Sequence, residues 1–156
     1  MSGILPTCMR GLKPMARRNQ WEDIEARAYW QWAQFVPLLR EHLYHIPNGG
    51  YRSRIEAAIM KAMGVRAGVS DYHLPIERGG FLGLWIEMKA KPPHDARVTE
   101  DQAWWGDKML AEGHAFFVCR GFEEARAATE WYLSLPQTLL VPEIEIPDVK
   151  ELVNAA

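Results

Sequence analysis

The hydrophobic residues of this chain first repeat with a helical period. Over Gln20–Ala33 apolar side chains recur every three or four residues, which predicts an amphipathic helix, and a short segment continues over Pro37–His42. The same spacing predicts a second helix over residues 52–63. Its apolar face is formed by Ile55, Ala58, Ile59 and Ala62.

Two further helices are predicted in the C-terminal half of the chain. Thr99 and Gln102 fit a capping box, in which two side chains satisfy the free backbone N–H groups at the start of a helix. The helix that follows should end at Gly113. A last helix is predicted over residues 122–133, ahead of a proline.

Between these helices, shorter apolar runs bounded by glycine and proline predict strands. They cover residues 43–46, 68–75, 81–89 and 114–120. A tight turn over residues 77–80 would join the second and third strands into a hairpin. The order of helices and strands therefore predicts an α/β fold with a small mixed four-stranded sheet flanked by helices.

Composition restricts the number of domains and the way in which the chain could bind nucleic acid. A chain of 156 residues with 48% hydrophobic and 24% charged residues suits one globular domain. The net charge of -2 counts against a protein that coats nucleic acid nonspecifically, although it allows a local basic surface. We expect a basic N-terminal tail over residues 1–19, a central domain over 20–133 and an acidic, extended C-terminal tail over 134–156.

Cysteine usage and hydropathy disfavour three other kinds of protein. Cys8 and Cys119 lie in unlike contexts, which favours free thiols in a reducing, cytoplasmic compartment over a disulfide. No cluster of cysteine and histidine suggests a zinc site. No apolar run approaches the ~20 residues of a membrane helix, and the first residues lack the apolar core of a signal peptide.

The candidate chemistry lies on the predicted hairpin. Asp71 belongs to its first strand, and Glu87 and Lys89 share one face of the second, because strand side chains alternate between faces. Leu84, Ile86 and Met88 should point to the core. Two carboxylates on neighbouring strands with an ammonium beside them can hold a hard divalent cation and orient a water molecule. The alternative is an exposed charge pair, but these charges end a strongly apolar strand, where unpaired burial costs several kcal/mol.

Five sequence blocks carry a resemblance to a known family. They are HIPNGGYR (45–52), KAMGVRAGVSD (61–71), GGFLGLWIEMK (79–89), TEDQAWW (99–105) and GFEEA with the following YL (121–133). Together they resemble the virus-type replication-repair nuclease domain, VRR-NUC, of the PD-(D/E)xK, or restriction-endonuclease-like, superfamily. The resemblance implies a restriction-endonuclease-like core and a metal-dependent DNA endonuclease that hydrolyses phosphodiester bonds.

The resemblance also implies roles for individual residues. Asp71 and Glu87 match the two metal-binding carboxylates of the family, and the backbone carbonyl of Met88 matches a further metal ligand. Lys89 matches the catalytic lysine, and Gln102 matches the glutamine at the start of the following helix. Oxygen ligands of this kind suit Mg²⁺ or Mn²⁺.

The resemblance also implies a catalytic, metal-binding glutamate in the first helix. Glu22 fits the register of the family's helix best, and Glu25 is the alternative. The family often has glutamine four residues after this glutamate, whereas this chain has Ala26.

Candidate DNA contacts lie around this set. Arg17 and Arg18 belong to the basic tail, Asn48 and Arg52 flank the glycine turn, and His73 shares the face of Asp71. We expect a turn-edge position for His45, with a DNA contact as the alternative, and a solvent position for His94. Most of the seven tryptophans should pack in the core, and one could stack on a base.

The resemblance extends to substrate and assembly. Short, stand-alone members of the family look like phage or prophage proteins that act as homodimers on branched DNA such as Holliday junctions, a substrate of DNA repair. Two alternatives stay open. One is a DNA-binding or assembly module without catalysis, and the other is a sequence-specific restriction-type nuclease.

Overall fold

The computed structural model describes residues 20–47, 53–138 and 146–154. In these ranges the helices are α1 (Gln20–Ala33), α2 (Pro37–His42), α3 (Arg54–Ala62), α4 (Glu100–Ala111), α5 (Phe122–Ser134) and α6 (Val149–Asn154). The strands are β1 (Tyr44–His45), β2 (Tyr72–Leu74), β3 (Leu84–Lys89) and β4 (Ala115–Arg120). The predicted α/β fold, a mixed four-stranded sheet flanked by helices, is confirmed.

The sheet has the strand order β1-β2-β3-β4, so β3 has a neighbour on each side. β1 and β3 both pair antiparallel with β2, whereas β4 pairs parallel with β3. Between β2 and β3, Arg78 pairs with Phe81, and Gly79 and Gly80 have φ of 58° and 87°. A two-residue hairpin turn requires these positive φ angles, which only glycine adopts readily. The parallel pair requires a crossover, and α4 is that connection.

α4 begins at the predicted capping box. The Thr99 hydroxyl accepts a hydrogen bond from the backbone N–H of Gln102 at 3.3 Å, and Gln102 Oε1 accepts one from the backbone N–H of Thr99 at 3.0 Å. These two hydrogen bonds therefore fix the Gln102 side chain at the first turn of α4. Farther along the helix, Gly106 approaches β4 so closely that a Cβ would lie 2.5 Å from the Phe116 ring.

The loop that leads into Asp71 packs directly against the first turn of α4. Gly68 has a φ of +83°, and a Cβ at this position would lie 2.3 Å from the backbone carbonyl oxygen of Asp101. Any side chain here would meet backbone that cannot rotate away. Glycine at position 68 thus allows the loop before Asp71 to pack against the first turn of α4.

The main core lies on one face of the sheet, where α1 and α5 pack against β3 and against each other. The predicted inward residues of β3 belong to this core: Leu84, Ile86 and Met88. Tyr29 of α1 is fully buried, and its hydroxyl lies 2.8 Å from Thr129 Oγ1 of α5. Because a buried hydroxyl requires a hydrogen-bond partner, this pair fixes the two helices in register.

The opposite face of β3 is also buried, because α4 covers it. Trp85 meets Trp105 of α4 edge to face, with ring centroids 5.3 Å apart. Glu87 and Lys89, on the same face, are 2% and 5% exposed. The alternative of an exposed charge pair is therefore wrong.

Two regions outside the central sheet differ from their sequence patterns. The apolar face of α3 is not covered by the described part of the chain, since Ile55 is 73% exposed and Ile59 is 54% exposed.

The C-terminal tail was expected to be extended, but Val149–Asn154 forms helix α6. One turn and a half of helix can form here because no proline falls between residues 148 and 154.

Two expectations from composition can be compared with the described residues. Cys119 is buried and forms no disulfide with any of them, and Cys8 lies outside them. None of the helices in the described ranges is both long enough and apolar enough to cross a membrane.

Candidate active site

Asp71 lies immediately before β2, at the point where the β2–β3 ladder ends. Tyr72 pairs with Ile86 in that ladder, so Asp71 comes next to Glu87 and Met88. Its Oδ2 atom accepts a hydrogen bond from the backbone N–H of Met88 at 2.8 Å. Burial raises the pKa of Asp71, and the Met88 N–H and the charge of Lys89 act in the opposite direction.

Glu87 is the most strongly perturbed acid of the site. Burial and the negative charge of Asp71 raise its pKa, Lys89 opposes them, and together these effects bring it to about 7. Two carboxylates that share a buried site disfavour each other's ionisation. A cation placed between them would relieve this repulsion.

Lys89 and Gln102 surround the Glu87 carboxylate. Lys89 Nζ lies 3.0 Å from Glu87 Oε1 and donates to Gln102 Oε1 at 3.1 Å. Gln102 Nε2 also donates to Glu87 Oε1. Since Gln102 Oε1 is held by the backbone N–H of Thr99, the start of α4 fixes the position of the lysine ammonium.

The two candidate acids of α1 face different surroundings. Glu25 Oε2 accepts a hydrogen bond from the backbone N–H of Phe122 at 2.7 Å, and Glu25 Oε1 lies 3.7 Å from Lys91 Nζ. Glu25 therefore stabilises the start of α5. The charge of Glu22, by contrast, contributes to raising the pKa of Glu87. Of the two acids, Glu22 is therefore the one whose charge acts on Glu87.

His45 lies closer to the site than its position at a turn suggested. Its Nδ1 atom is 2.9 Å from the backbone carbonyl oxygen of Asp71, and its charge lowers the pKa of Asp71. This proximity follows from the β1–β2 register, in which His45 pairs with Tyr72. Sequence spacing does not reveal which residues two strands bring opposite each other, so the contact of His45 with Asp71 was not predicted.

His73 packs among aromatic residues. Its ring stacks on Trp85 at 3.9 Å, and its Nδ1 atom lies 2.7 Å from the Tyr44 hydroxyl. Burial, with a smaller effect of His114, lowers the pKa of His73 to about 4, so the ring is neutral at pH 7. These are the contacts of a packing residue rather than of a phosphate-binding one. The other candidate DNA contacts, Arg17, Arg18, Asn48 and Arg52, lie outside the described residues.

The donor set fits a divalent cation of the magnesium type. Among the described residues, no three carboxylate, imidazole or thiol groups assemble into a complete protein cage. The structure offers two carboxylates instead, the buried Glu87 and the half-buried Asp71. Mg²⁺ usually keeps several waters and binds through one or two carboxylates together with a substrate phosphate, so a pair of acids suits it.

The fold and the site together define a class of protein. β3, an inner strand of the mixed sheet, carries Glu87 and Lys89 on one face, and Asp71, immediately before the neighbouring strand β2, lies next to them. This arrangement of acids and lysine is the one that the resemblance to PD-(D/E)xK nucleases implied.

Comparison with known proteins identifies the family. Residues 13–123 match the VRR-NUC domain. A solved structure described as a VRR_NUC domain protein superposes with a TM-score of 0.67 at 26% identity, covering 85% of this chain and 100% of its own. A search of curated proteins gave no match. The chain belongs to the VRR-NUC domain family and has a nuclease-type function.

Proposed function

We propose that this protein is a Mg²⁺- or Mn²⁺-dependent endonuclease that hydrolyses phosphodiester bonds in DNA. The observation that carries the proposal is the convergence of Asp71, Glu87, Lys89 and Gln102 at the C-terminal end of β3. A stable fold has no need of a half-buried carboxylate beside a fully buried one, because their repulsion opposes folding. Such perturbed acids are typical of functional sites.

Asp71, Glu87 and the backbone carbonyl of Met88 would hold the cation. When bound, a divalent cation of this type neutralises the carboxylates, lowers the pKa of a bound water and stabilises charge on the scissile phosphate. Glu22 would supply a further negative charge on the same side. In this scheme the aspartate needs the hydrogen bond from Met88, which keeps its carboxylate turned towards β3.

Lys89 would act on the water and on the phosphate. Its ammonium is held at 3.1 Å from Gln102 Oε1 and at 3.0 Å from Glu87 Oε1. A fixed ammonium can orient the attacking water and stabilise the charge that develops on the phosphate oxygens. Gln102 acts through Lys89 and is a positioning residue.

The substrate proposed is branched DNA, with a homodimer as the active assembly. The exposed apolar face of α3 supports this assembly, since Ile55 and Ile59 would be covered by a second copy. A two-fold dimer presents two active sites to two strands, which suits a four-way junction.

The proposal is tested by cleavage of a labelled four-way junction and of a linear duplex of the same length. Cleavage should require Mg²⁺ or Mn²⁺, stop in EDTA and be lost in Asp71→Asn. Asp107→Asn, an exposed aspartate elsewhere on α4, should cleave as the wild type does. Cleavage that persists in EDTA or in Asp71→Asn contradicts the mechanism. Binding without cleavage under every condition indicates a silent DNA-binding module, and discrete duplex fragments indicate a restriction-type enzyme.

A further inference from the structure

Trp21 and His94 form a stacked pair on the surface. Their ring centroids are 4.2 Å apart and their planes differ by 7°. The imidazole covers part of the indole, yet Trp21 remains 52% exposed, and His94 is exposed as well. Most tryptophans bury more of their surface, so an exposed indole held flat by a second ring points to a ligand with a flat face.

The pair lies at the end of the sheet that carries the candidate active site. Trp21 precedes Glu22, whose charge acts on Glu87. His94 belongs to the loop that connects Lys89 to the start of α4. Lys91 Nζ of this loop lies 3.7 Å from Glu25 Oε1. Since Glu25 is one helical turn after Trp21, the loop packs against the first turns of α1.

The other exposed tryptophans have different surroundings. Trp104 has the Lys108 ammonium over its ring at 5.4 Å, and Trp131 contacts Phe117 edge to face at 5.6 Å. Trp30 is on α1 but nine residues from Trp21, which places it on the opposite side of the helix. Within the described residues, Trp21 is the exposed tryptophan whose ring is stacked in parallel on a second exposed ring.

We propose that the Trp21–His94 pair binds an unpaired nucleobase of the DNA substrate next to the scissile phosphate. This inference rests on the proposed nuclease function and adds a determinant of substrate choice to it. A base in a duplex has both faces covered by its neighbours, whereas an unpaired base at a branch can leave the stack. Stacking on an aromatic side chain tolerates any sequence because every base has a flat π face.

The two rings have separate tasks. Trp21 supplies the larger surface for the base. His94 limits the rotation of the indole, so less ordering is needed when DNA binds. The pair therefore selects DNA with an accessible base, without reading the sequence.

The test compares two junctions that differ in one place. One carries an unpaired thymine beside the cleavage position, and the other has an abasic residue there. Dissociation constants are measured in EDTA by fluorescence anisotropy on the full chain, and cleavage is measured separately in Mg²⁺. Wild type should bind the thymine junction about tenfold more tightly than the abasic one, given that base stacking typically contributes about 1–3 kcal/mol.

Substitutions then assign the preference to the pair. Trp21→Ala should abolish it by weakening binding of the thymine junction alone, Trp21→Phe should keep most of it, and His94→Ala should reduce it. Trp30→Ala, on the opposite side of the same helix, should leave it unchanged. Circular dichroism confirms that each variant is folded.

Two outcomes overturn the inference in different ways. If wild type binds and cleaves DNA but the preference for thymine is absent or survives in Trp21→Ala, base binding by the Trp21–His94 pair is refuted and the nuclease function stands. If wild type neither binds nor cleaves either junction, the proposed function is refuted, and base binding by the pair is refuted with it.

Discussion

The buried carboxylate of Glu87 makes the stability of the metal-free protein depend on pH. Burial and the charge of Asp71 raise its pKa from 4.5 to about 7. Between these two values the folded state binds more protons than the unfolded state, so the free energy of unfolding falls as pH rises through this window. The stabilisation is fully present below about pH 4.5 and is lost as pH passes about 7. The change corresponds to about 3 kcal/mol.

Urea unfolding followed by circular dichroism, in EDTA at pH 4.5 and pH 7.5, measures this effect. Wild type should lose about 3 kcal/mol more than Glu87→Gln between the two pH values, because the amide keeps the shape but does not ionise. Glu130→Gln is the control, since Glu130 pairs with Arg126 on the surface and should follow the wild type. Equal losses in wild type and Glu87→Gln would refute the reasoning that Glu87 ionises unfavourably in the fold.

Three further predictions concern the proposed role of Lys89, the Gly68 contact and the α3 face. Lys89→Met should lower single-turnover cleavage about 10²–10³-fold while junction binding in EDTA changes little, and an equal loss of binding would contradict a role in the chemical step. Gly68→Ala should cost about 3 kcal/mol in urea unfolding because its Cβ meets the Asp101 carbonyl, whereas Gly64→Ala, with positive φ but open space, should cost about 1 kcal/mol. If the proposed homodimer forms through α3, wild type should sediment as a dimer and Ile59→Glu as a monomer in sedimentation velocity; an unchanged mass would contradict this interface.

Local sequence patterns were sufficient to predict much of the fold. The apolar spacing of residues 20–33 predicted helix α1 correctly, although its buried residues are Tyr29 and Ala33, whereas Trp21 and Ile24 of that spacing are exposed. The capping box at Thr99 and Gln102 was also correct, since its hydrogen bonds involve only neighbouring residues. Alternation on β3 placed Leu84 in the core correctly.

Features that depend on packing between distant segments could not be predicted in this way. Alternation places Glu87 and Lys89 on one face, but their burial depends on α4 crossing over that face. The approach of His45 to Asp71 depends on the β1–β2 register. The stacking of Trp21 on His94 joins residues of α1 and the β3–α4 loop, which no local pattern connects.

For α3, the sequence predicted the helix but not the surface that covers its apolar face. Its apolar spacing correctly predicted a helix, and Ser53 and Glu56 form a capping box at its start. The same spacing does not say which surface covers the apolar face. In the described chain Ile55 and Ile59 remain exposed, so the periodicity indicated the element but not its packing partner.

In the proposed mechanism, Asp71 and Glu87 together bind a divalent cation beside Lys89. Anomalous diffraction from a crystal soaked in Mn²⁺ tests it most directly. We predict one strong peak about 2.0–2.2 Å from a carboxylate oxygen of Asp71 and from one of Glu87. A peak bound by other residues, or no ordered Mn²⁺ at this pair at millimolar concentration, would contradict the account.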